Sequence, residues 1–378
     1  VSSLAVLVDR WRALRDRCLT SPAFRAFATA FPPTRPEARR RARALFDLVA
    51  GFVYSQVLLA CVRLGVFDAL RDGPRTVAEL APRCGLDADA TRTLLRAATA
   101  LQLTEDRGPD RYGLGALGAA VVGNAGITAM VEHHALLYRD LADPVALLRR
   151  GQARAGGDLA GYWPYAAEDG RPAGVDPAAA APYTALMAAS QPLVSAEVLA
   201  AYPLDRHRCL LDVGGGDGSF LRSVGATAPA LRLVLFDLPA VAPRARERFA
   251  AAGLADRAEV VTGDFFADPL PAGADIVSLV RVLHDHDDER VARLLDSVYA
   301  ALPPGGTLLV AEPLAGTPGA ERMGDAYFGL YLFAMGRGRP RTRAELGALL
   351  TAAGFTAIEQ RNTRIPLQTS LLIARKPC

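Results

Sequence analysis

The sequence predicts an α/β fold, with a Rossmann-like parallel sheet in its C-terminal half and a helical, winged-helix-like region in front of it. Three observations carry this. From about Arg208 onward, short Val/Leu-rich runs alternate with helical segments, the texture of a parallel sheet covered on both faces. The first of these runs opens directly into a glycine-rich loop, "DVGGGDGSF", and the others end on a polar residue, where open α/β sheets bind their ligands. Ahead of residue 120, the signals for helix, glycine turn, helix and small hairpin follow one another, which is the winged-helix order. The expected divisions are 1–120 for the helical region, 121–200 for a helical connector that helps wall a pocket, and 201–378 for the sheet domain.

In chain order, "LFDLVAGFVYSQVLLACVRLGVFDAL" is apolar on most sides, as expected of a helix buried in a core or a subunit interface. Thr76 and Asp87 are placed to cap the next two helices, with Gly85 turning between them and Leu94, Leu95 and Ala98 on one face. "LTEDRGPDRYGLG" then reads as two extended pieces around a Gly-Pro-Asp turn. Residues 151–182 form a loose Gly/Ala/Pro-rich connector around "GYWPY", and the helix "PYTALMAASQPLVSAEVLAAY" follows. The strand candidates are "CLLDV", "LRLVLFD" ending at Asp237, "AEVVTGD" ending at Asp264, "DIVSLVRVL" running into "HDHDDE", and "LLVAE" ending at Glu312. The last, "GFTAIEQRNTRIPLQTSLLIARK", reads as a two-stranded hairpin at the sheet edge.

Composition excludes several classes. A net charge of +3 is too small by itself to argue for a nucleic-acid partner, and 51% hydrophobic residues supply a large core. The five cysteines lie far apart without a CxxC pair, which fits reduced thiols in a cytoplasmic protein. The opening residues lack the pattern of a signal peptide. The longest apolar run is interrupted by Asp47, Gln56 and Arg63, so a buried helix is expected and no membrane span. Its flanking arginines leave room for membrane-surface contact.

The glycine loop (Asp212, Gly214, Gly215, Gly216, Gly218) lets backbone turn tightly beside a ligand. Asp237, about twenty residues on, could hold ribose hydroxyls, which suits NAD and S-adenosylmethionine equally. Asp264 and Phe265 suit an adenine amino group and an adenine face. In "VRVLHDHDDER", a metal reading fares poorly. His284 and His286 are two apart and diverge on a strand or a helix, and His133, His134 and His207 complete no ligand set. Asp287, Asp288 and Glu289 suit a helix start, where acids favour the dipole.

The triple "DVGGGDG…FDLP…GDFF" resembles the class I S-adenosylmethionine-dependent methyltransferases, and especially the plant-type small-molecule O-methyltransferases. That resemblance implies S-adenosyl-L-methionine as cofactor. It implies that Asp212, Gly214 and Gly216 pass its methionine part, that Asp237 with Leu238 binds the ribose, and that Asp264 and Phe265 frame the adenine. Arg281 stands at the family's lysine position near the cofactor. "RVLHDHDDE" matches the family's "HDWxDE" pattern, which makes His284 the general base. A near-neutral imidazole also suits proton removal from a hydroxyl during methyl transfer, with no metal required. Asp285 helps frame the site in the family, although a cap would use the same residue. Glu312 falls near one of the carboxylates that steer the imidazole. The second steering acid precedes an "RT" dipeptide in the family, whereas "GRPRT" has Pro340 there, so a different orienting group is expected. His286 stands where relatives carry tryptophan and is read as a packing residue.

Four longer stretches, including "HHALLYRDL" and "DAYFGLYLFAMGRGRPRT", resemble the carotenoid-pathway members of the family across nearly the whole chain. This implies an apolar hydroxylated acceptor, the C-1 tertiary alcohol of an acyclic carotenoid, and a long apolar tunnel. Phe52, Tyr54, Met130, His134, Tyr138, Trp163, Met187, Tyr327, Tyr331, Phe333 and Met335 are its candidate walls, each equally at home in a plain core. A bacteriochlorophyll precursor or an aromatic or polyketide metabolite is the alternative. The family uses the winged-helix-like region for dimerisation, which implies a homodimer. DNA binding is disfavoured because the candidate recognition helix carries only Arg92 and Arg96 as cations. An acceptor dissolved in lipid would give the arginine-rich first 45 residues a place on the inner or intracytoplasmic membrane; a solvated helix face is the plainer reading.

Overall fold

The computed structural model describes residues 3–152, 156–162 and 177–378. Two compact units result, Val1–Val122 and Gly123–Cys378.

The first unit begins with α1 (Ser3–Thr20), α2 (Pro22–Ala30), α3 (Arg35–Arg63) and the short α4 (Val66–Ala69). There follow β1 (Arg75–Thr76), α5 (Val77–Cys84), α6 (Ala88–Ala100), β2 (Thr104–Asp106), β3 (Arg111–Leu114) and α7 (Ala116–Val121). The three strands form one antiparallel sheet in the order β1-β3-β2, giving the winged-helix pattern. Both sequence caps form. Thr76 and Glu79 make a reciprocal capping box, and Asp87 accepts from the Ala90 N–H. Gly118 has no room for a side chain, since a Cβ would stand 1.9 Å from the Leu103 carbonyl oxygen. α3 is less covered than its composition suggests. Only Leu59 and Cys61 are buried, while Leu45, Phe46, Leu48, Val49 and Phe52 face outward.

The second unit opens with α8 (Ala125–Asp140), α9 (Pro144–Arg150), α10 (Asp158–Tyr162) and α11 (Pro177–Ala201). α3 and the Ala181–Ala201 part of α11 are each long and apolar enough to cross a membrane by length and composition, contrary to the expectation from interrupting polar residues. The sheet domain runs β4 (Cys209–Val213), α12 (Ser219–Thr227), β5 (Arg232–Asp237), α13 (Ala242–Ala251), β6 (Ala258–Thr262), β7 (Ile276–Val280), α14 (Asp288–Ala301) and β8 (Thr307–Glu312). It closes with α15 (Phe328–Met335), α16 (Arg343–Ala352), β9 (Thr356–Arg361) and β10 (Ser370–Arg375). Strand order is β6-β5-β4-β7-β8-β10-β9, with the first five parallel and β10 antiparallel to both neighbours.

Alternation along the strands fills two cores. Leu211, Val213, Val234, Phe236, Val277, Leu279 and Val310 pack on one face with Val291, Leu294 and Val298 of α14. Leu210, Leu233, Leu235, Ile276 and Leu309 pack on the other with Val194 and Val198 of α11 and Phe220 of α12. The chain leaves β4 toward β5 on one side and returns to β7 on the other. That topological switch opens a crevice beyond the carboxyl ends of β4 and β7.

Candidate active site

A single cavity in that crevice gathers most of the residues singled out in the sequence. It is lined by Asp212, Gly214, Gly215, Gly216, Asp237, Leu238, Asp264, Phe265, Arg281 and Asp285, joined by Tyr183, Met187 and Gln191 of α11. Two boundaries differ from the sequence reading. β6 stops at Thr262, so Asp264 sits on the turn after the strand. β7 stops at Val280, and Leu283–Asp285 forms a 3₁₀ turn in place of more strand.

The glycine loop is built against Asp212 and Asp237. Asp212 is fully buried at the end of β4, where Ser278 Oγ donates to its Oδ1 at 2.6 Å. Its Oδ2 has no hydrogen-bond partner among the described residues. Burial pushes this carboxyl up to about 7. Gly215 must be glycine for reasons of space, because a Cβ there would lie 2.2 Å from Asp212 Oδ2. Asp237 accepts from the backbone N–H of Gly216 and of Leu238, each at 2.7 Å, and burial pushes it up to about 6. Beyond β6, Phe265 and Phe266 are edge-on to each other at 4.6 Å, and His286 meets both rings edge-on at 5.7 and 5.0 Å. His286 therefore braces the aromatic wall, and burial drives its pKa down to about 3.

His284 is held from two sides. Glu312, at the end of β8 and 3% exposed, accepts from the N–H groups of Val282 (2.9 Å) and Leu283 (2.6 Å) through Oε1. Its Oε2 bonds His284 Nδ1. With Glu312 as the accepting partner, the Nδ1 proton is assigned there, leaving Nε2 as the base position. Asp285 Oδ1 lies 3.2 Å from that Nε2. Burial depresses the imidazole pKa, yet Asp285 and Glu312 together outweigh burial and hold it above its ordinary value. Burial likewise pushes Asp285 up to about 6. Tyr183 of α11 donates to Asp285 Oδ2 at 3.4 Å, and Phe328 of α15 meets the imidazole edge-on at 5.7 Å.

Pro340 brings no carboxylate, and the segment around it serves the site differently. The buried Arg341 donates to the carbonyls of Leu283 and His286, both at 2.7 Å, and pairs with Asp288. Gly338, at φ +77°, passes so close that a Cβ would stand 2.1 Å from the His284 carbonyl oxygen. Arg341, Gly338 and Tyr183 were invisible in the sequence, because each acts on a loop that is distant along the chain. "GRGRPRT" held the signal for the first two without saying what it met.

Arg281 adopts a left-handed backbone (φ +57°), uncommon for a non-glycine residue and found where structure over-determines it. Its guanidinium does not lie along the cavity alone. It donates to Ser190 Oγ (2.8 Å), Met187 O (2.9 Å) and Gln191 Oε1 (2.6 Å), tying the end of β7 to α11, while Nε has no partner among the described residues.

The candidate acceptor walls separate. His133 and His134 of α8 bond the hydroxyls of Tyr331 and Tyr327 at 2.8 and 2.7 Å, and Met130 Sδ lies 3.8 Å from the Tyr327 hydroxyl. Tyr331, Tyr327, Phe333 and Met335 share one apolar cluster with Leu137 and Leu159. Met187 lines the cavity, and Tyr138 is half-buried on α8. Phe52 and Tyr54 belong to the first unit, and Trp163 lies outside the described residues. No group of three or more metal-ligating side chains occurs among the described residues.

Known proteins share this architecture. An O-methyltransferase domain model matches residues 138–356, and an O-methyltransferase dimerisation domain model matches residues 46–124. A demethylspheroidene O-methyltransferase of Cereibacter sphaeroides is 44% identical over 361 residues, covering 96% of this chain and 94% of that protein. An acetylserotonin O-methyltransferase of Mus musculus is 35% identical over 343 residues, covering 86% of each. Among solved structures, a methyltransferase of calicheamicin biosynthesis with SAH bound superposes with a TM-score of 0.74 at 29% identity, over 90% of this chain and 98% of that one. Human N-acetylserotonin methyltransferase in complex with SAM gives 0.72 at 26% identity, over 89% and 98%. The chain belongs to the O-methyltransferase family and is an O-methyltransferase with a dimerisation domain ahead of its catalytic domain.

Proposed function

We propose that this enzyme transfers a methyl group from S-adenosyl-L-methionine to the C-1 tertiary hydroxyl of an acyclic carotenoid, with His284 as general base. The observation that carries the base assignment is the imidazole clamped by Glu312 at Nδ1, with Nε2 turned to the other side of the ring. The 44% identity to a demethylspheroidene O-methyltransferase supports the acceptor class.

The cavity residues fit the cofactor. The Gly214–Gly216 backbone leaves space for its methionine part, Asp237 offers a carboxylate to ribose hydroxyls, and Asp264 with Phe265 offers an acceptor and a ring face to adenine. When bound, the cofactor would supply an electrophilic methyl group on a sulfonium, whose carbon–sulfur bond breaks as the methyl passes to a hydroxyl oxygen and leaves a neutral thioether. The protein's part is proton handling and placement. The acceptor hydroxyl donates to His284 Nε2, which takes the proton as the oxygen–carbon bond forms. The Glu312 carboxylate keeps the ring in the correct tautomer and stabilises the imidazolium. Asp285, held by Tyr183, adds a second negative charge beside that cation.

The dimerisation domain supports a homodimer, with the exposed apolar face of α3 as contact surface. Scattered free cysteines fit a cytoplasmic protein. An acceptor of this kind partitions into lipid, so peripheral contact with the inner or intracytoplasmic membrane belongs to the same reading.

The test is incubation with labelled S-adenosylmethionine and a panel of hydroxylated carotenoids, bacteriochlorophyllides and phenols. Label should enter the hydroxycarotenoids. Transfer to a phenol or a bacteriochlorophyllide instead would replace the acceptor. His284→Ala should keep cofactor binding and lose about 10²–10⁴ in turnover; near-normal turnover would reject it as base.

A further inference from the structure

α1 and α2 carry no buried side chain among their described residues. Leu4, Leu7, Trp11 and Leu14 of α1 are 70, 61, 63 and 56% exposed. These four and Val8 recur at helical spacing and form one stripe, while Arg10, Arg12 and Arg17 flank it and Arg15 lies over the Trp11 ring at 5.8 Å. α2 continues with Phe24 and Phe27 and ends at the cap residue Phe31, all exposed, the last two stacked at 5.2 Å. An isolated helix of this length is marginal in water, so a stripe of this kind needs a surface to cover it.

Charge identifies that surface. Residues 4–45 hold ten arginines against Asp9, Asp16 and Glu37, on a chain whose total is only +3. The rest of the molecule is therefore net negative, and the positive charge is concentrated beside the apolar stripe. We propose that this N-terminal arm, α1 and α2 with the arginine-rich start of α3, docks on an anionic lipid bilayer. The apolar stripe enters the headgroup boundary, Trp11 sits at interfacial depth, and the arginines pair with lipid phosphates. A nucleic acid would neutralise the arginines yet leave Leu7, Trp11 and Phe27 in water. A second copy of the arm would bring like charges together, and the match to the dimerisation-domain model, residues 46–124, does not include α1 or α2. The bilayer satisfies both the charge and the apolar face. The proposal rests on the carotenoid reading only for the benefit of docking, which is access to an acceptor dissolved in lipid.

The experiment is flotation of the full chain with vesicles of phosphatidylcholine alone and of phosphatidylcholine mixed with phosphatidylglycerol. Binding is expected to the mixed vesicles only and to weaken with salt. The triple variant Leu7→Ser, Trp11→Ser, Leu14→Ser should lose about tenfold or more in vesicle affinity. Arg12→Glu with Arg17→Glu should also weaken it, with the apolar stripe intact. Both variants should keep the wild-type mass by light scattering and the wild-type rate on a hydroxycarotenoid presented in detergent. Wild type left unbound by anionic vesicles, or variants that bind as well as wild type, would overturn the proposal. A fall in mass would instead assign the arm to the subunit interface. Because the detergent assay reads acceptor chemistry without a bilayer, failure of docking and failure of the carotenoid reading give different results.

Discussion

Asp285 Oδ1 lies 3.2 Å from His284 Nε2, the ring nitrogen opposite the one that Glu312 holds. An imidazole between two carboxylates favours its protonated form, and a base in that form is spent. The sign follows directly. With His284 as the base, the neutral imidazole is the active form, and its pKa is raised, so activity should fall on the acid side at a pH above the ordinary histidine value of 6.5. The acid limb of kcat/KM measures this. A limb at or below 6.5 would contradict the two-carboxylate account.

Glu312→Gln removes one of the charges that raise His284. The acid limb should move to lower pH, and turnover should drop by about 10²-fold or more as the ring loses its tautomer anchor. The same change frees nothing at the backbone, since a glutamine oxygen can still accept from Val282 and Leu283. A pH profile with the limb unmoved would show that Glu312 does not set the imidazole's charge.

Arg341→Ala removes one donor from each of the carbonyls of Leu283 and His286, the first of which keeps the His286 N–H, and takes one of its two arginines from Asp288. A loss of about 2–4 kcal/mol in unfolding free energy is expected. Arg341→Lys should recover only part of it, because one ammonium cannot reproduce the planar fork. Denaturant melts of the two variants test this; equal stability to wild type would show the turn to be held elsewhere.

Gly215→Ala places a methyl group against Asp212 and Leu235. The loop must shift, at a cost of about 1–3 kcal/mol, and cofactor affinity should fall with it. Calorimetric titration with S-adenosylhomocysteine reads the effect. Unchanged affinity would mean that the loop does not touch the cofactor.

Arg281→Lys loses a guanidinium that bonds three groups of α11 from a left-handed backbone. Lysine can reach one or two of them. Turnover should fall and KM for the acceptor should rise more than KM for the cofactor, because α11 carries Tyr183 above Asp285. The reverse order would make Arg281 chiefly a cofactor ligand.

Much of this was legible in the residues. Continuous Val/Leu runs marked the strands, since each face of the sheet meets helices and must be apolar. The polar residues that interrupt this pattern at strand ends, Asp212, Asp237 and Glu312, mark the crevice for the same reason. Thr76 and Asp87 were readable as caps because a cap acts within four residues of chain. Strand ends were less legible. Val282 and Leu283 prolong the apolar run past Arg281, and nothing local says that their N–H groups meet the Glu312 carboxylate in a turn.

The sequence alone determined the fold class and the polar strand ends beside the glycine loop, because these rest on local periodicity and on side-chain chemistry; the choice of His284 rests on the resemblance of "RVLHDHDDE" to the family pattern. The tertiary structure alone decided how that histidine is charged. Asp285 could equally have been a helix cap, Pro340 removed the expected steering acid, and Arg341 and Gly338 gave no sign of what they meet. Their roles depend on loops from four strands and helices converging within hydrogen-bond distance, in a crevice where burial raises the stakes of every unpaired charge. Contacts between residues tens of positions apart are set by packing, which no stretch of chain records by itself.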